Sequence, residues 1–228
     1  MTGVTQRLAL LRRQFVLTGV RHDVVKIHGQ HRTGTNFVQK LLKVNAPQVV
    51  SPWPEESGWK HGPFEDHRRR RYLIVARHPM AWAESFHNWE LAHHRTTLKS
   101  FGEFLRAPLS DERSAKVWNC TGPLELYATS YAAWLASPLS TAVLRYEDVL
   151  EDLDAALTML FRELDLPTPT HFTDWAERAD MWETSVIRRP LDRDHSIQGW
   201  RSITSERDTE YARSVMPAGL LEQLGYEF

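Results

Sequence analysis

The sequence predicts an α/β fold, a single domain in which a parallel sheet is flanked by helices, and three observations carry that expectation. Three short runs are almost continuously apolar: Val24-Val25-Lys26-Ile27, Tyr72-Leu73-Ile74-Val75-Ala76 and Thr141-Ala142-Val143-Leu144. Strands covered on both faces read this way, because neither side of a buried parallel sheet meets water. A helical pattern follows each run, over Thr35 to Val44, Pro79 to His93 and Val149 to Leu164. Strand then helix, three times over, points to a parallel sheet with helices on both faces. Finally, no repeat, low-complexity stretch or linker divides the 228 residues, a length that suits one well-buried core.

Taken in order, the N-terminus carries an apolar cluster from Leu8 to Leu11 that Arg12 and Arg13 cut short of a signal-peptide core. No later run approaches the ~20 apolar residues that a membrane span needs, so a cytoplasmic protein is expected. After the first strand, Gly34 precedes a helix for which Thr35 is the expected N-cap. A further sheet strand is expected over Gln48 to Ser51. Pro79 suits the first position of the second helix, where its missing N–H costs nothing. Ser110 to Pro123 reads as irregular, and Leu124 to Ala136 as another helix. Leu166-Pro167-Thr168-Pro169 ends the third crossover helix. The chain from His171 on reads as helical, with a loop around Arg188 to Ser202.

Composition narrows the function classes. A net charge of −1 provides no global field toward nucleic acid or anionic lipid, so polyanions must be held by local patches. Cys120 is the only cysteine, which excludes an internal disulfide and a multi-cysteine zinc site and suits a reducing compartment.

One such patch is Gly29-Gln30-His31-Arg32-Thr33-Gly34-Thr35-Asn36, between the first strand and its helix. Backbone N–H groups and a helix N-terminus together bind phosphate or sulfate at such a turn. Arg32 adds a cation, and the Thr33 and Thr35 hydroxyls add donors. The run has the GxxxxG half of a Walker A motif, but Thr35 stands where the lysine belongs and Asn36 where the Mg²⁺-binding hydroxyl belongs. That disfavours an ATP-dependent kinase or a GTPase.

A second anchor is expected at the same sheet edge. Arg77 leaves the carboxyl end of the second strand, and Ser85 lies about two turns along the next helix. An arginine with a hydroxyl there suits a second, separate phosphate. Two anion sites at one edge imply a ligand with phosphates at both ends of a nucleoside.

With these residues the sequence resembles the sulfotransferases that use 3′-phosphoadenylyl sulfate (PAPS). Arg32-Thr33-Gly34-Thr35-Asn36 is similar to the family's 5′-phosphosulfate loop, and Arg77, Pro79 and Ser85 meet the spacing of its 3′-phosphate signature. Arg145-Tyr146-Glu147-Asp148 looks like the segment whose tyrosine lies near the adenine. Gly199-Trp200-Arg201 and Leu224-Gly225-Tyr226 look like the C-terminal region. The resemblance implies a P-loop NTPase-like sulfotransferase fold, PAPS as donor co-substrate, no metal, and transfer of a sulfuryl group to a hydroxyl or amine. It assigns donor binding to Arg32, Thr33, Gly34, Thr35, Asn36, Arg77, Ser85 and Tyr146. His78 departs from the usual acidic or amide residue, and with no Arg-Lys-Gly segment present, Arg193 or Arg201 is left to supply a further cation.

The resemblance also points to Trp59-Lys60-His61-Gly62-Pro63-Phe64, since many sulfotransferases carry a Lys and a His between the two motifs. His61 is the expected general base, with Lys60 steadying charge and Arg32 stabilising the transferred group. Glu55 and Glu56 are the substitutes, then His87 and Glu90. His87, Glu90 and His94 share an i, i+3, i+7 spacing, but a solvated face or an acceptor lining suits them better than a metal site. The run Arg68 to Arg71 reads as a solvated face. Trp82, Trp89, Trp118 and Trp134 read as core, while Trp53 and Trp59 stand in a loop where they can stack on a ligand. The expected partner is a small-molecule or glycan acceptor, with no nucleic acid; the sequence names neither the acceptor nor an oligomeric state. The rival readings are a P-loop nucleotide kinase and a non-catalytic nucleotide- or polyanion-binding protein.

Overall fold

The computed structural model describes residues 24–50, 59–64, 70–174 and 193–228. Strand β1 (Val24–His28) pairs in parallel with β2 (Arg70–Ala76), and β2 pairs in parallel with β3 (Ser140–Arg145), giving the order β1-β2-β3. Ile27 stands opposite Leu73, and Val75 opposite Leu144. The helices are α1 (Thr35–Asn45), α2 (Pro79–Ala92), α3 (Phe101–Arg106), α4 (Glu112–Trp118), α5 (Pro123–Ala136), α6 (Tyr146–Glu151), α7 (Leu153–Glu163), α8 (Arg193–Gln198), α9 (Glu206–Val215) and α10 (Leu220–Gln223). The α/β class with helices on both faces of a parallel sheet is therefore observed.

The alternation along β2 builds two cores. Leu73 and Val75 join Val25, Ile27, Ala142 and Leu144 under α1 and α7, through Val38, Leu41, Leu42, Leu157, Leu160 and Phe161. Ile74 and Ala76 face the other core, which is aromatic: Trp82 and Phe86 of α2 and Tyr127, Tyr131 and Trp134 of α5. Their polar tips are used where buried. Tyr131 donates to the Val75 carbonyl and Tyr127 to the Arg77 carbonyl, both at 2.7 Å, which satisfies the end of β2. Trp134 Nε1 donates to the Gly62 carbonyl at 2.9 Å and Trp118 Nε1 to the His61 carbonyl at 2.8 Å. The aromatic core thus fixes the 59–64 loop against the sheet edge.

Several boundaries differ from the sequence expectation. The expected strand at Gln48 to Ser51 is a 3₁₀ turn over Pro47–Val49, because Pro47 starts a helical turn well and Val49 is buried by it; Ser51 lies outside the described residues. Thr35 is the first helical residue, not the cap: Gly34 holds the N-cap position with φ 90° and no side-chain cap. The third crossover helix is two, since Asp152 turns extended and caps α7 by accepting from the Ala155 N–H at 2.9 Å. Asp111 caps α4 within the stretch read as irregular, and Ser100 caps α3, which the sequence reading passed over. The described part of the loop expected over Arg188 to Ser202 is α8 followed by a 3₁₀ turn at Gly199–Ser202. Among the described residues no helix is long and apolar enough to cross a membrane; the Leu8 to Leu11 cluster lies outside them.

Candidate functional site

The turn after β1 closes on itself through its backbone. Thr33 brings both its N–H, at 3.3 Å, and its hydroxyl, at 2.8 Å, to the Gln30 carbonyl, so this buried hydroxyl is spent on the turn. A Cβ on Gly29 would lie 2.6 Å from the Val75 carbonyl oxygen, which leaves no room for a side chain. Arg32 and Gly34 adopt left-handed φ values of 71° and 90°. At Gly34 a Cβ would also stand 2.4 Å from the Tyr146 ring. The N-terminus of α1 follows with no acidic residue in its first turn, so its positive end stays available to an anion.

A cavity of about 210 Å³ opens at this point. Arg32, Gly34, Thr35, Asn36 and Phe37 line it from the first turn, Arg77 and Ser85 from the second, and Tyr146 from the start of α6. The structure thus gathers in one cavity seven of the residues the sequence assigns to the ligand. Thr33 is excluded because its hydroxyl faces the turn. Arg201 is also left out: its guanidinium lies 4.6 Å over the Trp200 ring on an exposed 3₁₀ turn. The side chain of Arg193 lies outside the described residues.

Arg77 is held by the chain on both sides of it. Nη2 donates to the Ser196 carbonyl at 2.8 Å and Nη1 to the Arg32 carbonyl at 3.4 Å, while the guanidinium lies 5.2 Å from the Tyr146 ring centre. Its buried Nε has no hydrogen-bond partner among the described residues. Burial works against the Arg77 charge, and Tyr146, Glu147 and Glu84 work in its favour. Arg32 Nε donates to the Ser85 hydroxyl at 3.4 Å, which links the two turns across the cavity.

The departure at His78 has a physical reading. Its Nδ1 accepts from the Met80 N–H at 3.3 Å, filling the N-cap role that a side-chain oxygen ordinarily fills. Its Nε2 donates to the Glu227 carbonyl at 2.9 Å, and the ring stacks on Trp200 with centroids 4.4 Å apart. This bonding requires the neutral ring. Burial pushes the His78 pKa down to about 4 against the raising effect of the Glu227 carbonyl. Glu147, also buried, accepts from the His78 N–H at 2.8 Å and from the Tyr226 hydroxyl at 2.7 Å.

Beside the cavity stands a second cluster. Lys60 donates to Asn36 Oδ1, a cavity-lining side chain, and its own carbonyl accepts from the Gly29 N–H at 3.1 Å. His61 is buried and donates from Nδ1 to the Gly29 carbonyl. Burial, then the neighbouring His31, pushes the His61 pKa down to about 3, the Gly29 carbonyl opposing. His31 lies against it, ring centroids 3.6 Å apart, and directs Nε2 toward Asp111 Oδ2 at 3.8 Å. Burial also lowers the His31 pKa, as do Lys60, Arg95 and Arg32, while Asp111 raises it. Burial alone would raise the Asp111 carboxyl, but hydrogen bonds from Ser114 and the nearby His31 hold it below its ordinary value.

The remaining candidates do other work. His87 donates from Nε2 to the Leu98 carbonyl at 2.7 Å, and Glu90 accepts from Ser110. His94 lies past the end of α2 with φ 56°, so the three do not share a helix face. Among the described residues no group of three or more His, Cys, Asp or Glu side chains is gathered as a metal site requires. Arg113 packs 4.0 Å over the Trp59 ring, and Trp82, Trp118 and Trp134 are buried, as expected of core. Trp53, Glu55, Glu56, Arg68 and Arg69 lie outside the described residues.

Sequence reasoning missed His31, Asp111, Glu147 and the Ser196 carbonyl. For His31 a signal existed, since it directly precedes Arg32 in the anion turn; for the others only the fold supplies the contact. No protein-family model matches the chain, and no curated protein matches it.

Proposed function

We propose that the chain is a sulfotransferase, with the P-loop-like fold its motifs resemble, that moves the sulfuryl group of PAPS to a hydroxyl or amine of a small-molecule or glycan acceptor. The observation that carries this reading is the single cavity lined by both anchors, Arg32 to Asn36 on one side and Arg77 with Ser85 on the other. A ligand with anions at both ends of a nucleoside fits that pairing. Arg77 Nε, buried without a partner among the described residues, supports an anion as the missing acceptor. Tyr146 beside Arg77 offers the adenine an aromatic edge.

In this mechanism the backbone N–H groups at the start of α1, with Arg32, hold the 5′-phosphosulfate, and Arg77 and Ser85 hold the 3′-phosphate. The acceptor oxygen attacks sulfur in line as the bond to the 5′-phosphate breaks. Negative charge on the transferred oxygens and the leaving phosphate is stabilised by groups already in position. Lys60, bonded to Asn36 at the rim, adds a cation on the same side. One of the two adjoining imidazoles, His31 or His61, takes the acceptor proton. Thr35 and Asn36 in place of Walker lysine and hydroxyl weigh against a nucleotide kinase.

Thermal-shift titration without metal tests the reading. Adenosine 3′,5′-bisphosphate is expected to raise the melting temperature well above the effect of ATP, ADP or AMP. Preferential stabilisation by Mg-ATP would return the kinase reading. Binding of the bisphosphate with no turnover on any acceptor would leave a nucleotide-binding protein.

A further inference from the structure

The two adjoining imidazoles, tilted 36° to one another, are not equivalent. His61 commits Nδ1–H to the Gly29 carbonyl inside the fold, and its own carbonyl accepts from Trp118 Nε1. It is buried, and a proton added to it would stand against His31, Lys60 and His28. His31 keeps 35% of its side-chain surface and makes no side-chain hydrogen bond within the described residues. Among the described residues its Nε2 faces the carboxylate of Asp111, which is fixed in turn by the Ser114 N–H at 3.2 Å and hydroxyl at 2.6 Å. With Nε2–H toward Asp111, Nδ1 carries the lone pair. The main chain of His31 is equally fixed, its carbonyl accepting from Trp82 Nε1 at 2.6 Å. The next residue, Arg32, lines the cavity.

We infer that His31, oriented by Asp111, takes the proton from the acceptor, and that His61 is the neutral ring that positions it. The inference rests on the sulfuryl-transfer reading. In the step, the acceptor oxygen forms its bond to sulfur while the bond from sulfur to the 5′-phosphate oxygen breaks, and adenosine 3′,5′-bisphosphate leaves with that electron pair. The acceptor proton passes to His31 Nδ1, and the imidazolium is stabilised beside Asp111 before it returns the proton to solvent. The arrangement follows the general logic of a base oriented by a third group. Among the described residues the charged groups facing His31 are Asp111 from the α4 cap, Lys60 from the loop, Arg95 beyond α2 and Arg32 from its own turn, with the neutral His61 ring against it.

The test uses the whole chain and four proteins: wild type, H31Q, H61Q and D111N. Histidine Cε1–H resonances, assigned from the two histidine variants, are followed from acid to neutral pH. His31 is expected to titrate at higher pH than His61, and D111N to move the His31 midpoint down. Turnover of PAPS is read as release of adenosine 3′,5′-bisphosphate with water, 2-naphthol, an amine and a simple sugar as acceptors. H31Q is expected to lose about a hundredfold in turnover, as for removal of a general base. Its binding of adenosine 3′,5′-bisphosphate, measured by calorimetry, is expected to hold within a few-fold. H61Q is expected to lose less turnover than H31Q, and D111N to shift the pH midpoint of turnover down. Wild-type turnover in H31Q with bisphosphate bound, or a His61 that titrates above His31, overturns the assignment alone. Failure of the wild-type protein to bind the bisphosphate overturns the transfer reading beneath it, and the order of the two titrations separates these outcomes even where every acceptor is silent.

Discussion

The two anchors at the sheet edge are built in opposite ways. The first turn is closed locally: Thr33 bonds to Gln30 three residues away, and two left-handed residues aim the backbone toward the N-terminus of α1. The second turn is mounted on distant chain. Arg77 is held by a carbonyl 119 residues away, the His78 N–H by Glu147 at a separation of 69, and the His78 ring by Glu227 at a separation of 149. The first cradle adds to its local closure ties to the 59–64 loop, to α2 and to Arg77, whereas the second anchor depends on the C-terminal segment being docked. Binding at the two ends of the cavity should therefore respond differently to the same kind of damage.

The largest expected effect is on the second mount. Glu147→Ala leaves two buried donors, the His78 N–H and the Tyr226 hydroxyl, without their acceptor. At about 1–3 kcal/mol for each stranded donor, the loss of stability is expected to be about 3 kcal/mol in denaturant unfolding. Tyr226→Phe, which strands only one carboxylate oxygen, is expected to cost less. Equal costs would mean that the C-terminal latch does not bear on His78.

Damage to the first turn is expected to be smaller and more local. Gly34→Ala places a side chain at φ 90° and against the Tyr146 ring. The left-handed conformation alone costs roughly 1–2 kcal/mol. Adding Tyr146→Ala is expected to recover the steric part of the loss and leave the conformational part. If the double variant is no better than Gly34→Ala, the ring is not what keeps that position a glycine.

A separate contrast lies in the pH dependence. His78 and His61 have folded-state pKa values of about 4 and about 3, against an ordinary 6.5. Below 6.5 the unfolded chain binds protons that these buried rings refuse, so stability present above about pH 6.5 is lost as pH falls toward 4 and then 3. His78→Asn keeps a cap on α2 but cannot titrate. It is expected to flatten the melting temperature against pH between 6.5 and 4, from a lower starting value because the Trp200 stack is lost. An unchanged slope would show that His78 is not what makes the fold acid-sensitive.

The contrast between the anchors also explains what was legible in the sequence. Continuous apolar runs marked all three strands, and Gly29, Arg32, Gly34 and Pro79 marked the first cradle and the start of α2, because local chemistry decides those features. Asp152 splitting the third helix was legible as an N-cap but was masked by the apolar period around it, and Asp111 starting α4 was masked by a polar run that reads as irregular. The partners of Arg77 and His78 could not be read, since a backbone carbonyl at Ser196 or Glu227 leaves no mark in residue type. Arg201 shows the opposite case: a residue near a matching motif packs on its neighbour Trp200 and is not among those that line the cavity.

The central claim is that Arg77 and the first turn hold the two ends of one ligand, and calorimetry on a single variant tests it most directly. Wild type and Arg77→Ala are titrated with adenosine 3′,5′-bisphosphate and with AMP, which lacks the 3′-phosphate. Loss of a charged hydrogen bond is worth about 2–3 kcal/mol. The account predicts that loss for the bisphosphate and almost none for AMP, so that the variant no longer prefers the first over the second. Equal losses for both nucleotides, or no loss for either, would contradict it.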